Sequence, residues 1–203
     1  MRPGLEVEVA GGRLDEVAAE LMTLLLFEDQ RPLRGPTGWV DWRLQGLISR
    51  RLLEGWARGA RDEALLIPTQ VRFATPRVMG LGAGSRMGFG AEALAAWSRT
   101  AVERALALRT GRLVVPIPSP SHAGVDAARA AQAILEGAAR ALAAAGASLH
   151  LMLWAVEESV AAAWRGAREA VDGQALAVPA RLRPPPTTDR PQGAGPRGGV
   201  RSR

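Results

Sequence analysis

The 203-residue chain contains no cysteine, no tyrosine and no lysine, and it has only two histidines, His122 and His150. Each absence removes a class of chemistry. Without cysteine there is no disulfide framework, no thiolate nucleophile and no zinc-ribbon spacing. Without lysine there is no Schiff base, no Walker-type phosphate loop and no Ser-Lys dyad. Two histidines exclude a three-histidine metal centre. Long hydrophobic runs are missing as well. The apolar stretches at residues 24–27 and 149–156 fall far short of the roughly 20 residues that cross a bilayer. Residues 1–12 alternate apolar and polar positions and contain no signal-peptide core. The sequence therefore points to a cytoplasmic protein without a membrane partner, and it assigns no catalytic residue, metal or cofactor.

What is present is the composition of a globular chain, 47% hydrophobic and 23% charged. All 26 basic residues are arginine, and the net charge is +6. That charge is uneven. Residues 174–203 hold six arginines and a single acid, Asp189, so this stretch carries +5 and residues 1–173 only +1. The stretch is also dense in proline and glycine, with Pro184, Pro185 and Pro186 in a row. It reads as a disordered tail, 174–203, behind one domain, 1–173. Arginines on such a segment offer a possible weak nucleic-acid contact, which salt would abolish.

Periodicity supplies the elements. Leu5, Val7 and Val9 alternate with Glu6 and Glu8, a half-buried strand. Further strands are expected at 23–27, 64–67, 77–81, 113–117 and 149–156, with Pro116 marking an edge or a strand end. Residues 15–20 read as one or two helical turns. Helices are expected at 39–56, 91–108, 125–145 (ended by Gly146) and 157–171. The segments 28–38, 80–90 and 118–124 read as loops. Strands alternating with helices predict an α/β domain in three layers, a mixed, mostly parallel sheet flanked by helices.

Four segments appear in a familiar order: Leu25-Leu26-Phe27-Glu28-Asp29 with Gly38-Trp39-Val40-Asp41-Trp42-Arg43-Leu44-Gln45-Gly46; Glu63-Ala64-Leu65-Leu66-Ile67-Pro68; Pro76-Arg77-Val78-Met79-Gly80-Leu81-Gly82; and the strand, loop and helix from Leu113 onward. Together they resemble the N-terminal domain of the leucyl (cytosol) aminopeptidase family over about residues 5–172. The resemblance implies a fold similar to macro domains, modules that often bind ADP-ribose. It also implies that the metals and catalytic groups of the family belong to a separate domain that needs lysine, so this chain is expected to be a non-catalytic stand-alone module that binds a protein partner or a small ligand. Nucleic-acid binding through the arginine tail, and ADP-ribose binding or hydrolysis of the macro type, are the alternatives. Against the latter, Phe27-Glu28-Asp29-Gln30 replaces the asparagine-rich macro segment, and bulky Trp39 and Trp42 flank Val40-Asp41.

By the same resemblance, a ligand would meet Gly38, Val40, Asp41, Ser119, Ser121 and Gly124 in a crevice at the carboxyl edge of the sheet. Each residue also has a plainer reading. Ser121 is placed to cap the helix near Val125. Asp41 suits a helix start, where the dipole favours an acid. Glu28 and Asp29 are a carboxylate pair at a strand end without an identifiable partner. His122, beside Ser119 and Ser121, is not a triad by proximity in sequence alone, and His150 reads as a core or strand-edge residue. The 80–90 glycines lack the G-x-G-x-x-G spacing, since Ser85 takes the third position, and suggest a flexible connection. A tryptophan side chain buries on the order of 200 Å², so Trp39 or Trp42 is expected to fill part of the crevice and leave it too small for a dinucleotide.

Overall fold

A computed structural model describes residues 3–173 and 176–184. The elements are β1 (Gly4–Ala10), β2 (Leu21–Phe27), α1 (Gly35–Arg43), α2 (Leu47–Leu53), β3 (Ala64–Pro68), β4 (Arg77–Gly84), α3 (Ala91–Ala107), β5 (Arg112–Pro116), α4 (Pro120–Ala123), α5 (Ala127–Ala145), β6 (Ser148–Trp154), α6 (Glu157–Asp172) and β7 (Ala180–Leu182). The strands form one sheet in the order β3-β4-β2-β5-β6-β1-β7. Every pairing is parallel except β3 with β4. The expected three-layer, mostly parallel α/β architecture is what the chain adopts. No helix among the described residues is long and apolar enough to cross a membrane.

The period-two pattern of β1 explains the layering. Leu5, Val7 and Val9 face α3, α5 and α6 in the larger core cluster. Ala130, Ala131, Ala138, Ala141 and their neighbours on α5 are buried there, so small residues let the helices come close. The opposite face carries Met22, Leu24, Leu26 and Val114, covered by Val40, Leu44, Ile48 and Leu52 of α1 and α2. Further along the same face, β1 and β7 carry Glu6, Glu8 and Arg181, with His150 of β6 within 3.2 Å of Glu8 and Arg183 ion-paired to Glu6.

Several expectations need correction. The helix expected at 39–56 starts earlier, at Gly35, and breaks in two, because Gln45 and Gly46 both take positive φ (58° and 73°). Residues 15–20 contribute one 3-10 turn, Leu14–Glu16. Gly80, Gly82 and Gly84 belong to β4 and not to a flexible connection. Their lack of a side chain serves packing: a Cβ at Gly80 would stand 2.5 Å from Leu26 Cδ1, and one at Gly82 would fall on the Ala60 carbonyl. The tail expected to start at 174 yields a seventh strand. Leu5 N–H donates to the Pro179 carbonyl and Arg183 N–H to that of Val7 (2.9 and 2.8 Å), while Ala180 and Leu182 pack on the larger core. Ala180 and Leu182 alternating with Arg181 and Arg183 make a half-buried strand that the proline-rich composition hides. Residues 185–203, with the rest of the tail expectation, lie outside the described residues.

The sheet also opens at its centre. β2 and β5 pair only through Leu21 with Leu113 and Met22 with Val114. Pro116, at the end of β5, has no N–H to extend the ladder. The strands therefore part toward their carboxyl ends. Leu25 C=O accepts a hydrogen bond from the Thr37 hydroxyl of α1 (2.9 Å). Pro116 does mark a strand end, but in a central strand.

Candidate functional site

At the carboxyl edge of β1, β5 and β6 the chain encloses a cleft of about 510 Å³. Its walls come from four places: Gly12–Leu14 after β1, Gly35, Pro36 and Trp39 of α1, Ile117, Pro118 and Ser119 after β5, and Trp154, Val156 and Ser159 from β6 into α6. Open parallel sheets bind ligands at this edge, where loops diverge from the strand ends. The lining is mostly apolar, with two indoles. The Trp154 indole N–H donates to the Gly12 carbonyl at 3.2 Å, tying the β1 loop to the end of β6. Trp39 stacks edge-on against Phe73, with ring centroids 6.0 Å apart. The polar residues at the lining are Arg13, whose guanidinium is paired with Asp15 and Glu16, and Ser119 and Ser159.

One of the two indoles expected to fill part of the crevice, Trp39, does stand in the cleft, and the space left beside it is about 510 Å³. Because α1 begins at Gly35, Trp39 sits in its second turn and is held aside by Phe73, forming a wall. Trp42, one turn further, is 71% exposed. The resulting space is within the 300–1,000 Å³ range of small-molecule sites.

Of the six residues expected to line the crevice, the structure brings Ser119 to it. Val40 is fully buried in the core beneath α1. Gly38 is packed where a Cβ would stand 2.5 Å from the Leu33 carbonyl oxygen. Asp41 lies near the end of α1, not at its start, and its carboxylate accepts from the Ser49 N–H (3.0 Å) and hydroxyl, so it caps α2 from the neighbouring helix. Ser121 is exposed, and its hydroxyl lies 3.1 Å from that of Ser119. The cap of α5 is Asp126, which accepts from Arg129 N–H at 3.0 Å. Ser121 cannot fill that role, since Gly124, at φ 69°, first turns the chain out of α4. The 118–124 segment is largely a helical turn: the amides of His122 and Ala123 donate to the Ser119 carbonyl, and that of Gly124 to Pro120. Those three donors are used internally and do not face an anion.

Two further acids, Asp29 and Asp15, are held by hydrogen bonds. Asp29 accepts from the Ser85 hydroxyl and the Arg86 N–H, which hold its carboxyl below the usual range. Asp15, missed by sequence reasoning, is buried at the foot of the cleft's β1 loop. Hydrogen bonds from Arg13, opposed by burial and joined by one from Arg43 of α1, hold its carboxyl down to about 2. Among the described residues no three His, Asp or Glu side chains gather as a metal site.

His122 is the residue whose setting the sequence hides most. It is 2% exposed, its ring lies 5.4 Å from that of Phe27, and neither ring nitrogen has a hydrogen-bond partner among the described residues. Burial, with the nearby Arg86 charge, pushes its pKa down to about 4. The imidazole is neutral at neutral pH.

The sequence pattern characteristic of the cytosol aminopeptidase family, N-terminal domain, matches residues 24–144, more than half of the chain. The chain belongs to this family. A probable cytosol aminopeptidase of Thermosynechococcus vestitus is 28% identical over 140 residues, covering 68% of this chain and 28% of that protein. The chain thus spans under a third of that aminopeptidase. Among solved structures, a mutant of tomato leucine aminopeptidase superposes with a TM-score of 0.61 at 16% identity, over 84% of this chain and 36% of that one. A mutant macrodomain of Oceanobacillus iheyensis gives 0.63 at 13% identity, over 82% and 92%. At these identities the structural likeness speaks for the fold, which this aminopeptidase-type N-terminal domain shares with macrodomains.

Proposed function

We propose that this aminopeptidase-type N-terminal domain acts as a non-catalytic, cytoplasmic binding module whose small ligand enters the cleft between Trp39 and Trp154. The observation that carries the reading is the cleft itself: about 510 Å³, apolar, and placed at the carboxyl edge of the sheet. The Oceanobacillus iheyensis macrodomain has been crystallised with ADP and, as a mutant, with ADPR. The reading for this chain differs in ligand chemistry. Three amides of the α4 turn, those of His122, Ala123 and Gly124, are used internally and are not donors for a diphosphate, whereas two indoles in the lining favour a planar apolar body.

Toluene, a planar probe without polar groups, tests the cleft. Its addition should shift the indole N–H resonances of Trp39 and Trp154 and leave that of exposed Trp42 in place, while millimolar ADP-ribose should shift neither cleft indole. Unmoved cleft indoles with toluene would remove the reading. For the non-catalytic part, purified protein given amino-acid amides with manganese or zinc should show no turnover; clear turnover would reject it.

A further inference from the structure

The helical layer over Met22, Leu24 and Leu26 differs from the opposite layer in charge. Helices α3, α5 and α6 together carry six arginines and seven acids. Several of these pair along their helix, as Arg99 does with Glu103 and Arg168 with Asp172. Residues 31–58, which contain α1 and α2, carry six arginines and two acids. Both acids are engaged: Asp41 accepts from the Ser49 N–H and hydroxyl, and Glu54 pairs with Arg51 at 2.8 Å. Arg43 is paired with Asp15 at 2.7 Å. Arg34, Arg50 and Arg58 are exposed and form no ion pair among the described residues. Arg31 donates to the carbonyls of Phe27, Gln30 and Arg58, which leave its charge uncompensated. The same layer exposes aromatic surface. Trp42 is 71% exposed and Trp56 68%. The Arg51 guanidinium lies 5.0 Å from the centroid of the Trp56 ring, a cation–π contact. The bonds between Asp41 and Ser49 tie α1 to α2, so their chain neighbours Trp42 and Arg50 flank one joint. Neither Trp42 nor Trp56 lines the cleft.

We propose that the α1–α2 surface binds a single-stranded polynucleotide, whose bases stack on Trp42 and Trp56 and whose phosphates meet Arg34, Arg50 and Arg58. This site is separate from the cleft and does not depend on it. Two features of the surface select the partner. Arginines without acid partners attract a polyanion. Exposed indoles offer ring faces to planar bases, which a duplex keeps stacked within itself and a single strand can present. An acidic peptide answers the charge but brings no planar ring with each unit. An anionic membrane calls for a continuous apolar face that enters the lipid boundary, whereas Arg43, Arg50 and Arg51 stand between the two indoles in the chain.

Fluorescence anisotropy of a labelled oligothymidylate of about 20 nucleotides, titrated with the 203-residue chain, tests the site. The single strand should bind about tenfold or more tighter than its duplex with oligoadenylate, and Trp42→Ala combined with Trp56→Ala should weaken the single strand by about tenfold or more, the scale of lost base stacking. Arg34→Gln, Arg50→Gln and Arg58→Gln together should lower the slope of log affinity against log salt by about 2, since each phosphate contact on a single strand contributes about 0.7. In the unsubstituted protein the strand should shift the indole N–H resonances of Trp42 and Trp56. It should leave in place that of buried Trp97, which donates to the Leu81 carbonyl at 3.0 Å. Affinity unchanged by the tryptophan and arginine substitutions would put the strand on the six arginines of residues 174–203 and overturn the site. Equal affinity for the duplex, or no binding of the strand while phosphatidylglycerol vesicles or polyglutamate bind, would overturn the choice of partner.

Discussion

The two faces of the sheet are built on different principles. Over one face, α3, α5 and α6 pack backbone to backbone. A Cβ at Gly137 would fall on the Ala95 carbonyl, and one at Gly166 on that of Ala128. Ser98 of α3 donates to the Ile134 carbonyl of α5 at 2.7 Å, in the same contact. Over the other face, two short helices are separated by a left-handed turn at Gly46, where a Cβ would meet open space. The first face gives stability through close approach. The second is looser, places aromatic side chains at its margin, and carries the cleft at the carboxyl ends of β1, β5 and β6. The comparison teaches that the site follows from where packing is relaxed, not from a loop motif.

The largest effect should come from closing the tight face. Gly137→Ala forces α3 and α5 apart along their whole contact, and we expect a loss of about 4 kcal/mol or more, or failure to fold. Gly46→Ala on the loose face meets nothing and carries only the left-handed backbone penalty, about 1 kcal/mol. Urea unfolding of the two variants measures both. Equal losses would mean that the faces do not differ as described.

Acid should act next, and in two separate windows. His122 has a folded pKa of about 4 against an ordinary 6.5. Between those values the unfolded chain binds the extra proton, so stability falls as the pH drops from about 6.5 to about 4. The total is about 3 kcal/mol at 1.36 kcal/mol per pH unit. His122→Leu should flatten the stability curve in that window. Asp15 behaves in a lower one. Its folded pKa of about 2 lies below the ordinary 3.8, so its contribution is present above about pH 4 and disappears as the pH falls toward 2. With Arg13 largely exposed, about 1–2 kcal/mol is expected there, and Asp15→Asn should abolish it. A midpoint series from pH 7 to pH 2 in the three proteins resolves the two groups.

How far the sequence reveals all this depends on the range of the interaction. Leu5, Val7 and Val9 declare their strand because the alternation is local, and the helices at 91–107 and 127–145 are legible for the same reason. Gly80 and Gly82 mislead, because what removes their side chains is Leu26 and Ala60, distant in the chain. Gly35, Pro36 and Gly38 look like a loop and open a helix, since proline suits a first turn. Asp41 reads from the sequence as an acid at a helix start, whereas it sits near the end of α1 and accepts from the Ser49 N–H in the first turn of α2, a contact set by the turn at Gly46. Within the site, Ser119 is legible from its place after a strand. Arg13, Trp154 and Val156 are not, because they come from elements joined only by the order of strands in the sheet. His122 is least legible of all: nothing in Pro120-Ser121-His122-Ala123 says that its ring is buried against Phe27 of β2.

The smallest effect concerns two tryptophans three positions apart on α1, and it sharpens the contrast on the loose face itself. Trp39 and Trp42 occupy neighbouring positions on the helix surface, yet only Trp39 has a ring partner, Phe73, and a place in the cleft wall. Trp39 is 37% exposed and Trp42 71%. Trp39→Ala removes an edge-on aromatic contact and some buried area, for which about 1–2 kcal/mol is expected. Trp42→Ala exposes little that was covered, and its effect should stay within about 0.5 kcal/mol. The two variants should differ further with toluene: binding weakens in Trp39→Ala, which loses part of the cleft wall, and is unchanged in Trp42→Ala. Equal weakening in both would place the probe outside the cleft, on the exposed surface of α1, and would detach the aromatic wall from ligand binding.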